Sequence, residues 1–461
     1  MLKLCLLLAS LAAVLGGCVS YQSKDIDPVA TAAQWDRRSL ADAGLQKFLA
    51  AHGWVAGTEW DLPRLTLAAF YFNPSLDVAR ARLAEAEAGV RTAEARPNPS
   101  FTFTPGRSDQ TPGGITPWIL GYALNIPIEL AGKRAHRTTE AQRAVERARL
   151  ELASVAWGVH RAVRGALIEW DGAVAEVELG RLQLPLVARA AQLATARVEA
   201  GDTSPWEAAQ ARTALARAEL AARESERAVT TARSRVAEAL GVPLGAINEI
   251  RLSGGGLVDA LPPSATKEAR AWAPLNRADL LGALAAYAAS QAVLQGEIAR
   301  QYPNLTLGPG YQLDQGKEKW SVGIGVTLPV FNRNEGPIAA AEASRAAAAA
   351  NFLAVQNRVL AEVDRAVADY ASVQADMERV RGLRTTLERQ TRLMRSRHEA
   401  GEISRLELVR AEMELVDQSR TELAARRRAA HALGAFEDAV QRPLAWPELA
   451  WRGPVRVTEA K

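Results

Sequence analysis

The chain of 461 residues has two cysteines, Cys5 and Cys18, and both lie close to its amino terminus. Removal of a leader that ends before Cys18 would leave no thiol pair for a disulfide or a cysteine-based metal site. No apolar run of about 18 or more residues follows the first 17 residues, which argues against a transmembrane helix. Any membrane span is therefore expected to consist of β-strands.

Clustered positive charge is also lacking. The sequence has 56 Lys+Arg against 52 Asp+Glu, a formal net charge of +4, and its arginines and glutamates are interspersed along the chain. Interspersed charges are typical of solvated helical faces, whereas a nucleic-acid interface needs clustered basic residues. The sequence therefore predicts no nucleic-acid partner.

Catalytic and cofactor motifs are absent as well. The histidines are scattered, none has the HExxH spacing that places two metal ligands on one helical face, and each is expected at a surface or interface: His52, His136, His160, His398 and His431. The segment Ala131–Arg134 has a Gly-Lys pair but lacks the remaining residues of a phosphate-binding loop. We expect no enzyme activity, no cofactor and no metal site.

The first residues have the pattern of a secretory signal peptide. Lys3 precedes an apolar run from Leu4 to Leu15, and two glycines follow before Cys18. Leu15-Gly16-Gly17-Cys18 resembles the lipobox of bacterial lipoproteins, which implies cleavage before Cys18 and acylation of its thiol. Val19 fits sorting to the outer membrane. The alternative is an ordinary signal peptide with an incidental cysteine.

Three segments alternate in the manner of membrane strands. From Trp320 to Leu328 large apolar residues alternate with Ser, Gly and Thr, and residues 101–104 and 118–126 have a related period of two. A barrel strand turns one face to lipid and the other to a lumen, which explains one large and one small face. Four aromatic residues are candidates for the lipid interface: Trp118, Tyr122, Tyr311 and Trp320.

Long helices separate these strands. Residues Asn73 to Arg96 predict one helix, and Lys133 to about Glu199 has hardly a helix breaker apart from Pro185. A helix from Lys133 to Glu199 would be on the order of 100 Å long, so it must pack in a coiled coil or bundle. The segment from Gly201 to Pro205 interrupts the helical pattern, and a return helix to Leu240 completes a helical hairpin.

The order of predicted helices and strands occurs twice, at an offset close to 200 residues. PNPSFTFTPG (97–106) resembles PNLTLGPG (303–310), and RVEAGDTSPWE (197–207) resembles RHEAGEISRLE (397–407). The predicted organisation is a signal peptide (1–17), a lipid-anchored N-terminal segment (18–72), a first repeat (73–243), a connector (244–275), a second repeat (276–443) and a tail (444–461).

The four strands of two hairpins are too few to close a membrane β-barrel. The smallest single-chain membrane barrels have about eight strands, and an open sheet in lipid leaves edge amides that cost several kcal/mol each. Several chains must therefore share one barrel. Two hairpins from each of three chains would give twelve strands.

With these features, the chain resembles the TolC family of outer-membrane efflux channels from Asn73 to Leu444. The motifs that carry the resemblance are NPSL (73–76), ARPNPSF (95–101), the paired R-x-E-A-G tips and LPVFNRNEG (328–336). The resemblance implies an α+β membrane protein: a homotrimer with a twelve-stranded barrel in outer-membrane lipid and a long periplasmic α-helical tunnel. It also implies two further partners, a periplasmic adaptor and an inner-membrane pump.

IELAGKRAHR (128–137) and PVFNRNEG (329–336) resemble the heavy-metal cation-efflux branch, which implies a pump of the RND type. These residues also fit the strand-to-helix junction itself, and four methionines and five histidines supply no metal-binding cluster. Three alternatives therefore stay open: a duct for drugs or other small organic molecules, a type I protein-secretion conduit, and a periplasmic coiled-coil scaffold.

The resemblance also implies the position of the functional residues. In the family a carboxylate six positions after each tip glycine constricts the periplasmic entrance, which here gives Glu207 and Glu407. Arg410 stands three positions further on and is at helical spacing to bridge to Glu407. Alternatively, both glutamates are ordinary residues of a first helical turn, favoured by the helix dipole. The expected adaptor contacts are the tip residues Gly201, Asp202, Thr203, Gly401, Glu402, Ile403 and Ser404.

Overall fold

A computed structural model describes residues 20–54, 59–109, 113–248, 250–257 and 263–443. The predicted signal peptide and Cys18 lie outside the described residues. The helices are α1 Pro28–Asp36, α2 Ala43–Ala51, α3 Leu62–Phe72, α4 Pro74–Glu94, α5 Lys133–Glu199, α6 Pro205–Leu240, α7 Leu244–Asn248, α8 Pro263–Asn276, α9 Ala278–Arg300, α10 Glu335–Glu399 and α11 Arg405–Val440. The strands are β1 Glu59–Trp60, β2 Ser100–Arg107, β3 Trp118–Ile128, β4 Arg251–Leu252, β5 Leu305–Asp314 and β6 Lys317–Val326.

The order of elements repeats as the sequence predicts. The first repeat contains α4, β2, β3, α5 and α6, and the second contains α9, β5, β6, α10 and α11. The long helix predicted from Lys133 to Glu199 is confirmed, with Pro185 in its interior, and the return helix starts at Pro205 with Ser204 as its N-cap. The predicted domain boundaries themselves stay a prediction.

The long helices form a layer with α5 near its middle. Helix α5 packs against α4, α6, α9 and α11, and α10 packs against α9 and α11. Helices α4 and α6 therefore form one border of the layer, and α10 forms the other. Within the described ranges, no helix combines the length and the apolar character that crossing a membrane requires.

The largest buried cluster lies where α3 packs across α5. Leu65, Leu67 and Phe70 of α3 are almost completely buried together with Leu152 and Leu167 of α5. The short parallel pair of β1 and β4 joins Trp60 to Leu252 and ties the connector to the N-terminal segment.

One histidine in this cluster contradicts the sequence-based expectation. His160 is fully buried, and its Nδ1 lies 3.1 Å from the Thr66 hydroxyl. Burial, with a smaller contribution from Arg164, lowers the pKa of His160 to about 3. The expectation of a surface or interface position is therefore wrong for His160, because α3 covers this part of α5. The other histidines are exposed or half-buried.

A buried ion-pair network connects the repeats. Arg164 of α5 binds Glu437 at 3.0 Å and Asp438 at 2.7 Å, both on α11. The Trp157 indole N–H also donates to Asp438, at 2.8 Å. Removing one partner of a buried ion pair leaves an uncompensated charge, so this network favours one arrangement of the two repeats.

The four longer strands form one antiparallel sheet in the order β2-β3-β5-β6. Pairing of β3 with β5 joins the two hairpins, and β2 and β6 are the edges. The last strand differs from its predicted extent: it ends at Val326 rather than Leu328. Pro329, which has no N–H to donate, follows shortly after this end.

Candidate functional site: sheet faces and helical tips

The register of the sheet places the large apolar side chains on one face. Phe103 is paired with Tyr122, Tyr122 with Tyr311, and Tyr311 with Trp320, so an aromatic row crosses all four strands. Neighbouring ring centroids in this row are 5.1, 6.2 and 4.8 Å apart. These rings contact one another, yet Trp320 is 78% exposed and Ile324, on the same face, is 74% exposed. One chain thus presents a continuous apolar surface that its own helices do not cover.

The opposite face is small and weakly polar. Thr104 is paired with Gly121, Gly308 with Gly323, and Gly310 with Ser321. Ile119, opposite Gly106 and Asp314, is a larger exception on this face. Apart from Ile119, and from Arg107 and Glu318 on the large face near the hairpin turns, the predicted alternation holds in all four strands. It is the pattern expected for a wall between lipid and an aqueous lumen.

Each long helix begins just after a residue in the left-handed region. Gly132 has φ 69° and Asn334 has φ 65°, and each is the N-cap of its helix. Glycine and asparagine are the residues that adopt this conformation most readily. The two strand-to-helix junctions therefore share the conformation of the N-cap residue, although the first junction has a second left-handed residue, Ala131.

The first junction is fixed by side-chain contacts that the sequence did not predict. Lys133 Nζ donates to the Tyr302 carbonyl and to Asn304 Oδ1, both at 2.6 Å. Arg137 binds Glu129 at 2.8 Å and donates to the Ala93 carbonyl at 2.9 Å. The hydrogen bond from Arg137 holds the pKa of Glu129 below its usual range. The lysine of the Gly-Lys pair thus joins the two repeats.

The two helical tips have the same backbone structure. Gly201 (φ 79°) and Gly401 (φ 77°) follow the last turns of α5 and α10. The Asp202 N–H donates to the Arg197 carbonyl and the Glu402 N–H to the Arg397 carbonyl, each at 2.9 Å. This is the Schellman arrangement, in which a left-handed residue lets the chain satisfy the last helical carbonyls and reverse.

The acidic side chains at the tips are held differently. Glu407 forms a capping box with Ser404: its Oε2 accepts from the Ser404 N–H at 2.7 Å and from the Ser404 hydroxyl at 2.8 Å. The backbone hydrogen bond, reinforced by the hydroxyl, lowers the pKa of Glu407. Glu207 makes no such box and lies 4.0 Å from Arg197. Arg397, the equivalent of Arg197, instead pairs with Glu402 at 3.0 Å.

The sequence model of the outer membrane efflux protein family matches residues 56–242 and 272–440, which contain all helices and strands of both repeats. The chain belongs to this family. Its members are outer-membrane channels rather than enzymes, which confirms the predictions of fold class, outer-membrane localisation and lack of enzyme activity. The lipid anchor stays a prediction.

Similar proteins support the same fold for this outer membrane efflux protein. The cobalt-zinc-cadmium resistance protein CzcC of Cupriavidus metallidurans is 30% identical over 266 residues, which are 57% of this chain and 62% of that protein, less than two thirds of its length. The outer membrane protein VceC of Vibrio cholerae matches with a TM-score of 0.65 and 21% identity over 82% of this chain and 95% of VceC. The Neisseria gonorrhoeae outer membrane channel MtrE matches with a TM-score of 0.66 and 18% identity over 83% and 89%.

In this family member the predicted entrance residues lie at the two helical ends. Glu207 and Glu407 are exposed on the first turns of α6 and α11, and Arg410 is exposed on the second turn of α11. The ion pairs of the described residues include none between Glu407 and Arg410, because Ser404 engages the carboxylate instead. Arg197 and Arg397 are the arginines of the paired R-x-E-A-G motif, but the sequence alone predicted no contact for them. That the glutamates face a lumen stays a prediction.

The tip residues predicted to contact an adaptor are exposed or half-buried. Trp206, next to Glu207, is also exposed and was not predicted to have a role. Within the described part of the chain, no three acidic, histidine or cysteine side chains converge to hold a metal ion.

Proposed function

We propose that this outer membrane efflux protein is the outer-membrane duct of a tripartite efflux system. In this proposal a homotrimer exports cargo passively from the periplasm to the outside. The observation that carries it is the two-faced sheet: β2 and β6 are edges within one chain, and the large face is exposed. Unpaired strand edges are costly in lipid, so closure with further copies satisfies both features at once.

In this proposal, different parts of the molecule contact different partners. The tips at Gly201 and Gly401 dock a periplasmic adaptor, which connects the duct to an inner-membrane pump of the RND type. Acylation of Cys18, outside the described residues, anchors the N-terminal segment in the membrane. The aromatic residues Trp118, Tyr122, Tyr311 and Trp320 contact outer-membrane lipid on the large face.

The proposed cargo is heavy-metal cations. Support comes from the similarity to a protein named for cobalt, zinc and cadmium resistance and from the acidic tips. If Glu207 and Glu407 of three copies face one lumen, six carboxylates surround the entrance. A ring of carboxylates attracts cations and repels anions, as in other cation pores.

Growth of a deletion strain tests the cargo. We expect loss of tolerance to Co²⁺, Zn²⁺ and Cd²⁺, restored by the wild-type chain, with unchanged tolerance to hydrophobic drugs. The opposite pattern would favour a drug duct. Unchanged tolerance to both together with loss of an exported polypeptide would favour a type I secretion conduit.

Fractionation tests the assembly. The proposal predicts heat-modifiable trimers in outer-membrane fractions, with incorporation of labelled palmitate that is lost in Cys18→Ser. Recovery of the chain as a soluble periplasmic species would contradict the channel and favour a coiled-coil scaffold.

A further inference from the structure

The two repeats of one chain meet along the pairing of β3 with β5, and we call this line of contact the seam. A polar contact lies at one end of it. Lys133, the first residue of α5, donates to the Tyr302 carbonyl and to Asn304 Oδ1 in the linker between α9 and β5. The contact thus joins the strand-to-helix junction of the first repeat to the helix-to-strand linker of the second. It lies just beyond the pairing of β3 with β5, which ends at Ile128 and Leu305.

Each side of this seam has a counterpart in the other repeat. Glu335 begins α10 directly after the left-handed Asn334, as Lys133 begins α5 directly after the left-handed Gly132. The linker after α4 contains Arg96-Pro97-Asn98, and the linker after α9 contains Tyr302-Pro303-Asn304 at the same distance from the helix end. The counterpart of Lys133 is therefore Glu335, and the counterparts of Tyr302 and Asn304 are Arg96 and Asn98.

These counterparts are at opposite borders of the chain. Glu335 belongs to the border formed by β6 and α10, and Arg96 and Asn98 belong to the border formed by α4 and β2. In a closed ring the β6 border of one copy meets the β2 border of the next. We propose that Glu335 of one copy forms an ion pair with Arg96 of the next copy and accepts a hydrogen bond from its Asn98. This inference rests on the proposed trimer.

Charge complementarity supports a second copy as the occupant of this site. Arg96 and Asn98 line a cavity of about 1140 Å³ together with Arg134 and the already engaged Lys133. Its acidic lining residues are Glu129, which is paired with Arg137, and Glu94. Glu335 is exposed, and the ion pairs of the described residues include neither Glu335 nor Arg96. The contact within one chain joins the Lys133 ammonium to the main-chain carbonyl of Tyr302 and the side chain of Asn304. The contact between copies instead uses the side chains of Arg96 and Asn98 as donors to the Glu335 carboxylate. An asparagine amide serves both cases because it can donate as well as accept.

Cross-linking of the full-length chain in outer-membrane fractions tests the contact. A short bis-maleimide applied to Arg96→Cys/Glu335→Cys should link copies into covalent dimers and trimers, and each single cysteine should give none. The matched control is Lys133→Cys/Asn304→Cys, the counterpart pair within one chain, which should react without forming covalent multimers. Intact trimers that are not linked through residues 96 and 335 would overturn the contact alone, whereas a monomeric wild-type chain would overturn the proposed assembly as well.

Charge exchange provides a second, independent test. Arg96→Glu and Glu335→Arg should each lower the temperature at which the trimer dissociates, and the double exchange should restore most of that loss. Lys24→Glu, at an exposed position of the N-terminal segment, controls for the change in net charge and should have no effect. Equal losses in the double and single variants would contradict a direct pair.

Discussion

Glu207 and Glu407 occupy equivalent positions in the two repeats, but their carboxylates have different surroundings. Ser404 holds Glu407 through its N–H and hydroxyl, whereas Glu207 has only Arg197 at 4.0 Å. The entrance glutamates of one chain are therefore not interchangeable. A capping role alone also explains Glu407, so a functional measurement must separate the two roles.

Neutralising both glutamates tests the entrance. Glu207→Gln/Glu407→Gln should lower the cation selectivity of the reconstituted channel, because six charges disappear from the proposed ring. The reversal potential under a salt gradient measures the change, and an unchanged value would contradict the ring. In Glu207→Gln alone the remaining selectivity should persist as the pH falls below the ordinary glutamate range, since the pKa of Glu407 is lowered.

His160 predicts a pH dependence of stability. Burial lowers its pKa from 6.5 to about 3, so the unfolded chain binds this proton more strongly than the folded chain. The stability present above pH 6.5 is therefore lost progressively as the pH falls towards about 3. At pH 5 the loss should be about 2 kcal/mol.

Thermal unfolding followed by circular dichroism at pH 7.5 and pH 5 measures this effect. His160→Asn should be less stable at pH 7.5 but should lose less on acidification than the wild type. His136→Gln, at a half-buried position, should keep the wild-type pH dependence. An identical acid-induced loss in His160→Asn would show that other groups cause it.

At the scale of elements, the tips show how local sequence fixes a reversal. Gly201 and Gly401 adopt positive φ because each must close a helix and release the chain into a return helix. The sequence predicts these breaks directly, since a glycine stands where the helical pattern stops. It does not predict which carboxylate each tip arginine binds, because that depends on side-chain geometry across the turn.

Matched glycine substitutions test the tip structure. Gly401→Ala forces an alanine into the left-handed region and should destabilise the tip by about 1–2 kcal/mol. Gly382→Ala makes the same change inside α10, where nothing lies within 4 Å of an added Cβ, and should stabilise by up to about 1 kcal/mol.

Hydrogen exchange of the Glu402 amide, which donates to the Arg397 carbonyl, reports directly on the tip. Faster exchange is expected in Gly401→Ala only. Equal protection of this amide in both variants would show that the left-handed glycine is not required.

At the scale of the whole molecule, the sheet is the element that one chain leaves incomplete. Its large face is exposed and its edges are β2 and β6, although the helices beneath it are well packed. In the proposed trimer, lipid would cover the large face, and strands of the neighbouring copies would pair with both edges.

Two substitutions on opposite faces of β6 test this arrangement. Ile324→Lys places a charge on the large face and should cost about 2–4 kcal/mol near the middle of a bilayer, so the yield of assembled trimers should fall strongly. Ser321→Lys places the same charge on the small face, where water is expected, and trimers should form. The heat-modifiable trimer band in outer-membrane fractions is the measurement, and equal yields would contradict the assignment of faces.

The sequence by itself determined the helices and strands of the two repeats, the repeat itself and the two faces of the strands. Hydrophobic periodicity and helix breakers are local properties, so Trp320 and its neighbours already show the alternation, and Pro205 already marks the return helix. The structural roles that depend only on neighbouring residues were therefore predicted correctly.

The tertiary structure alone decided which distant residues meet. His160 is buried because α3 covers it, Lys133 reaches a linker 171 residues away, and Arg164 binds Glu437 at a separation of 273 residues. No local pattern encodes such pairings, because they depend on how whole helices and strands pack. The alternation of β6 was thus predictable from the sequence. Its position at the edge of a four-stranded sheet was decided by the tertiary structure.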